Sequence, residues 1–238
     1  MHLLTRSGHI VLLEIGELIS VMSSFLTSMY VGNSEIHQPA PVAVTLSGAR
    51  EFLNMGVDGK FPNRLLLLET GGGHTAVFNN AWRSRGWFSM ARGLTKATSA
   101  GDVYFRSQPN TIRKAASELR GQYGSFKLIR VAAGEIVRSI SLVNDGGRWV
   151  FTMQGEPDAF ENQSAYLAPR KTDRFTHALL EKYLAAMDMF PFQDEFYVVD
   201  QRHPAIGIEI ATNRRSGDPD YFPAISTEKV VEKYGPFE

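Results

Sequence analysis

Cysteine is absent from this 238-residue chain. That excludes disulfides, thiol catalysis and thiolate metal sites, and it fits a reducing, cytoplasmic setting. Long apolar runs are absent as well. The most apolar stretch near the start, HIVLLEIGELISVMSSFL, is broken by Glu14 and Glu17, whereas a bilayer span needs about 20 consecutive apolar residues. The same stretch lacks the basic start and unbroken apolar core of a secretory leader. A soluble protein with no membrane partner is the expectation.

Local catalytic patterns are missing too. The histidines at 2, 9, 37, 74, 177 and 203 stand singly, without the close spacing on one helix face that marks a metal site. No metal and no cofactor are expected. There is no Gly-x-Ser-x-Gly elbow. Ser47, Ser125 and Ser216 stand beside glycines and read as caps and turns. Gly71-Gly72-Gly73-His74 has the glycines of a phosphate cradle but not the helix behind them, since TAVF reads as strand. A hairpin turn is the better reading.

What the chain does have is an uneven distribution of charge. Residues 83–130 hold ten Lys/Arg against only Asp102 and Glu118, while residues 131–238 hold 11 basic and 17 acidic residues and the whole chain is neutral. Either the acidic part folds over the basic stretch and neutralises it, or a basic face is left for an anion or an acidic partner. Phe78, Trp82, Trp87, Phe88, Tyr104 and Phe105 interleave the basic residues, a mixture used by single-strand nucleic-acid sites. Neutral net charge and the lack of any RRM, KH or zinc-finger signature disfavour nucleic acid as the partner.

Periodicity gives an α+β fold with a mostly antiparallel sheet built of hairpins, packed with three or more helices. Leu12, Ile15, Ile19, Met22, Leu26 and Met29 make one apolar helical stripe. Residues 1–34 are thus read as an N-terminal amphipathic helix and connector, and residues 35–238 as a single α+β domain. The helix packs on the body of the protein or on a second copy as a homodimer. A short helix is expected at 47–54 with Ser47 as its cap. Arg64-LLLLET reads as a strand covered on both faces. Residues 88–98 and 110–120 read as helices and 102–106 as a strand. Another helix follows Thr176, with Leu180, Tyr183, Leu184 and Met187 buried, and a last one follows Ser226.

The clearest hairpin signal is Asp145-Gly146 between two alternating runs. A two-residue turn there sets Leu142 opposite Trp149 and Ile140 opposite Phe151. Ile140, Leu142, Trp149, Phe151 and Met153 then share one face and Ser139, Ser141, Arg148, Thr152 and Gln154 the other.

Three phrases, Thr75-AVFNNAW, Asp145-GGRWVFTMQGEPDAFE and Asp173-RFTHALLEKYL, together resemble a group of bacterial proteins of unknown function. The resemblance covers roughly residues 63–200 and implies a bacterial single-domain protein. It implies no catalytic residue.

Two functional readings follow. The first is a non-enzymatic interaction module for an acidic or anionic partner, of the kind found in toxin-immunity proteins, with Trp82, Arg83, Arg85, Arg148, Glu156 and Arg174 as candidate binding residues. The second is an enzyme or small-ligand binder with a pocket near Trp82, Arg148, Glu156 and Arg174. Glu156, Asp158 and Glu161, with Asp173, offer paired carboxylates for acid–base work but read more simply as a solvated loop. Asp173 is expected to pair with Arg170 or Arg174.

Overall fold

The computed structural model describes residues 7–29, 34–53, 63–79, 87–113, 121–145 and 147–212. Within them the strands are β1 (Ser7–Val11), β2 (Ser34–Ile36), β3 (Ala40–Ala43), β4 (Asn63–Thr70), β5 (Thr75–Asn79), β6 (Gly101–Arg113), β7 (Gly121–Ala132), β8 (Glu135–Asp145), β9 (Val150–Gln154), β10 (Tyr197–Val198) and β11 (Ala205–Thr212). The helices are α1 (Ile15–Met29), α2 (Leu46–Leu53), α3 (Trp87–Thr98) and α4 (His177–Ala185). All eleven strands join one antiparallel sheet in the order β2-β11-β4-β5-β1-β6-β7-β8-β9, with β3 on β11 and β10 on β4. The α+β class with an antiparallel sheet is as the periodicity required.

Helices cover both faces. On one, α2 and α4 close a core around Leu66, Leu68, Phe78, Phe105, Leu128, Ile140, Leu142, Phe175 and Tyr183. On the other, α1 and α3 cover Val11, Leu65, Leu67, Val77, Ile208 and Ile210. Strand β4 therefore sends alternate leucines into two cores, and Leu65 to Leu68 are all buried. That is why its sequence shows no alternation. In α1, Leu18, Met22 and Leu26 are fully buried against the sheet of the same chain. The apolar stripe is spent there, each side chain contributing about 1.5–3 kcal/mol.

Residues ahead of α1 form a strand that the sequence reading merged with the helix. β1 lies in the middle of the sheet, pairing with β5 and β6 (His9 opposite Val77 and Tyr104). Its run of apolar residues continues into the helix, and a short apolar run fits either element. The helix expected from Asn110 starts as strand, because β6 extends through Arg113 and pairs Thr111 with Tyr123 and Ile112 with Gln122. Helix α2 is capped by Thr45 rather than Ser47: its Oγ1 accepts from the Gly48 amide at 3.1 Å. Thr176 caps α4 as expected, accepting from the Leu179 amide at 3.3 Å. The helix expected after Ser226 lies outside the described residues.

The β8–β9 register differs from the two-residue-turn reading. Leu142 faces Phe151 and Ile140 faces Met153, and the ladder ends at Val143 opposite Val150. The reason is β7. Asn144 is buried and pairs with Gly124, so β8 follows β7 to its end and leaves β9 earlier. A slip of two residues keeps every side chain on its face; Phe151 and Met153 remain with Ile140 and Leu142. Trp149 falls outside the strand and is only partly buried against the core. The β7–β8 turn carries positive φ at Ala133 (49°) and Gly134 (80°), the mirror-image turn that suits the twist of a hairpin. Helix α3 grips it: Arg92 Nε donates to the Gly134 carbonyl at 2.8 Å, and the Gly134 amide donates to Thr95 Oγ1 at 3.2 Å.

Candidate anion-binding face

The face that carries α1 and α3 is apolar under those helices and polar beyond them. Side chains alternate along β6, so Asp102, Tyr104, Arg106 and Gln108 share this face. In register across the sheet, Ser7 faces Arg106, Arg106 faces Lys127, Lys127 faces Ser141 and Ser141 faces Thr152. One rung across five strands thus presents hydroxyl, guanidinium, ammonium, hydroxyl and hydroxyl. It contains no carboxylate. Arg106 donates to Gln108 Oε1 at 2.7 Å, and the ion pairs of the described residues include neither Arg106 nor Lys127.

Two like charges directly opposite on neighbouring strands repel. Both side chains are also partly buried, which deepens the cost. Burial pushes the Lys127 ammonium below the ordinary lysine value, and the Arg106 guanidinium beside it pushes the same way. Burial raises the Tyr104 hydroxyl, against the pull of Arg106. Next along β7, Ser125 faces Gln108. Its Oγ is buried and has no hydrogen-bond partner. The strip therefore holds two cations without a carboxylate partner among the described residues, and a buried hydroxyl without a hydrogen bond.

Deeper on the same face, His9 Nδ1 meets Asp102 Oδ2 at 2.8 Å, with both side chains hidden. The His9 ring packs 4.8 Å from that of Tyr104. Single histidines in the sequence gave no hint of this pair, since Asp102 follows His9 by 93 residues.

The opposite face settles the acidic loop 155–173. Glu161 is buried and grips Arg138 through two hydrogen bonds, Nε to Oε1 at 2.8 Å and Nη2 to Oε2 at 2.5 Å. Tyr166 Oη donates to Glu161 Oε2 at 2.7 Å, and the Asp158 amide donates to Oε1 at 3.1 Å. Burial alone would raise the Glu161 carboxyl; these donors outweigh it and hold the group below the usual carboxylate range. Asp158 pairs with Arg130. Glu161 and Asp158 are thus structural rather than solvated, whereas Glu156 and Asp173 are exposed. Asp173 does not pair with Arg170 or Arg174. Arg174 Nε instead donates to the Ala168 carbonyl at 2.8 Å, and its guanidinium stands 5.8 Å from the Phe151 ring centre.

Of the candidate binding residues, Trp82, Arg83 and Arg85 lie outside the described residues. Arg148 and Glu156 are exposed at the two ends of β9, and Arg174 lies over Phe151 in its middle. Three of the six thus flank one strand. Ser107 Oγ meets His177 Nδ1 at 2.8 Å, and His177 Nε2 stands 3.9 Å from Glu181. Ser107 is 2% exposed, so the contact ties α4 to β6 and offers no accessible nucleophile. Among the described residues no group of three acidic or histidine side chains could hold a metal ion, and no helix is long and apolar enough to cross a membrane.

Glycines 71–73 form the β4–β5 turn, where Thr70 Oγ1 donates to the His74 carbonyl at 3.0 Å. No protein-family model, no curated protein and no solved structure matches the chain.

Proposed function

We propose that this chain is a non-enzymatic binding module that receives an anionic group or an acidic segment on the polar half of its α1–α3 face. One observation carries the reading. Arg106 and Lys127 stand directly opposite each other, in a rung flanked by Ser7, Ser141 and Thr152, with no carboxylate. An anion there relieves the repulsion between the two cations and meets bidentate and hydroxyl donors at once. The sequence offered two accounts of the basic stretch, and each applies to different residues. Arg92 and Arg130 are neutralised by Glu135 and Asp158 from the acidic part. Among the described residues no carboxylate neutralises Arg106 or Lys127. Arg83 and Arg85 precede α3 in the sequence and belong to the proposal on charge alone, and Trp82 as the aromatic residue beside them. An acidic protein partner, as in a toxin-immunity pair, is one form the occupant takes.

Calorimetric titration with inorganic phosphate, pyrophosphate and a poly-aspartate peptide tests the reading. At least one should bind, more weakly as salt rises, and Arg106→Gln and Lys127→Gln should each weaken it about tenfold or more. Failure of all three probes to bind, or binding indifferent to both substitutions, overturns the proposal.

A further inference from the structure

We infer that β9 is a homodimerisation strand, pairing antiparallel with β9 of a second copy about a two-fold axis at Thr152. The inference starts from how the two ends of the sheet differ. At one end, β3 has the sequence APVA with Pro41 inside it, and a proline blunts an edge by removing a donor. At the other end, β9 is VFTMQ, with neither charge nor proline. It is the last strand in the sheet order, and four of its five residues are exposed. Val150 is 52% and Met153 53% exposed, and nearby Leu167 is 81% exposed. Unprotected edges of this kind are templates for another strand.

The sequence around β9 specifies which strand. A two-fold axis at Thr152 pairs Thr152 with its own copy, Phe151 with Met153 and Val150 with Gln154. The first is a favourable hydroxyl pair, and the second sets a thioether against an aromatic ring on the apolar face. The same axis relates the flanks. Arg148 lies two residues before β9 and Glu156 two residues after it, past the positive-φ turn at Gly155, so the axis brings the arginine end of each strand to the glutamate end of the other. Both are exposed, and the ion pairs of the described residues include neither. Two copies therefore form two intermolecular pairs, one at each end of a short uncharged ladder. A partner unrelated in sequence would have to supply an arginine and a glutamate at the same separation; a second copy supplies them by symmetry.

The dimer does not depend on the anion reading, although the two meet in one place. Thr152 ends the rung that begins at Ser7, and the axis joins it to its counterpart. The donor row then continues into the second copy on the same sheet face. An extended acidic occupant would find two cation pairs, with the lysines about 24 Å apart at ordinary strand spacing.

Sedimentation velocity on the full chain from ~1 to ~100 µM reads the association. A concentration-dependent dimer is expected. Thr152→Lys, which sets two ammonium groups against each other on the axis, should abolish it without changing the melting temperature of the monomer. Arg148→Glu and Glu156→Arg should each weaken it about tenfold, and the double reversal should restore it. A chain that stays monomeric throughout overturns the inference. So does a dimer indifferent to Thr152→Lys, or one that the double reversal fails to rescue.

Discussion

Glu161 closes on Arg138 through two parallel hydrogen bonds, and both side chains are hidden from solvent. Arg138 Nη1 donates to the Gln154 and Gly155 carbonyls at 3.1 and 2.6 Å. The pair thus bolts the acidic loop to the end of β9. Glu161→Gln leaves a buried guanidinium without its counter-charge and should cost about 3–5 kcal/mol in chemical denaturation. The double change Arg138→Met with Glu161→Leu should cost clearly less. Because the folded chain holds Glu161 below the usual carboxylate range, its contribution is full above the unfolded value. It is lost as pH falls through the folded one. Wild-type melting temperature should therefore drop on acidification more steeply than that of Glu161→Gln.

Ile10 of β1 is fully buried in the core under α2 and α4. Ile10→Ala should cost about 2–5 kcal/mol. Deleting residues 1–30 should do far more than expose apolar surface, since it removes a central strand and the helix behind it. A truncated chain that melted cooperatively at the wild-type temperature would contradict this placement.

Trp149 and Phe175 make a useful contrast. Trp149 is partly buried beyond the end of the β8–β9 ladder, whereas Phe175 is 0% exposed and stacks 6.0 Å from Tyr183. Trp149→Ala should cost only ~1–2 kcal/mol, and Phe175→Ala ~3–5 kcal/mol. Equal losses in urea unfolding would place Trp149 deeper than described.

Lys127 stands against Arg106, and its charge works against the fold. Lys127→Gln should therefore raise stability, by ~0.2–1 kcal/mol, while weakening anion binding. Its lowered titration point carries the same sign: the unfolded chain holds more protons there, so stability rises as pH climbs through the folded value. Bound phosphate should move the amine back up, a shift readable by NMR of the lysine side chain.

Periodicity exposed the elements whose one buried face repeats cleanly. The stripe Leu180, Tyr183 and Leu184 located α4, and unbroken Leu65 to Leu68 located a strand with a core on either side. β1 was hidden because its apolar residues run straight into those of α1. The candidate site was half legible. The surplus of basic residues pointed to the segment that contains Arg106 and Lys127, but only cross-strand register separates these two from Arg130, whose partner Asp158 comes from a distant loop. Nothing local marked Arg138 as a deeply held cation, because its partner Glu161 lies 23 residues away in the loop.

The central position of β1 also bears on how the chain is made. His9 leaves the ribosome long before Asp102, 93 residues later, and before Val77, its neighbour on the other side. The β4–β5 hairpin and the β6–β7–β8 meander can each form from nearby sequence. They have no contact with each other as strands until β1 slots between them. During synthesis it must wait, unpaired, for both. Long-range joints of this kind slow folding, and the waiting margins of β5 and β6 are open meanwhile to other nascent chains. The seam between those two units is closed by the strand that emerges earliest of the eleven.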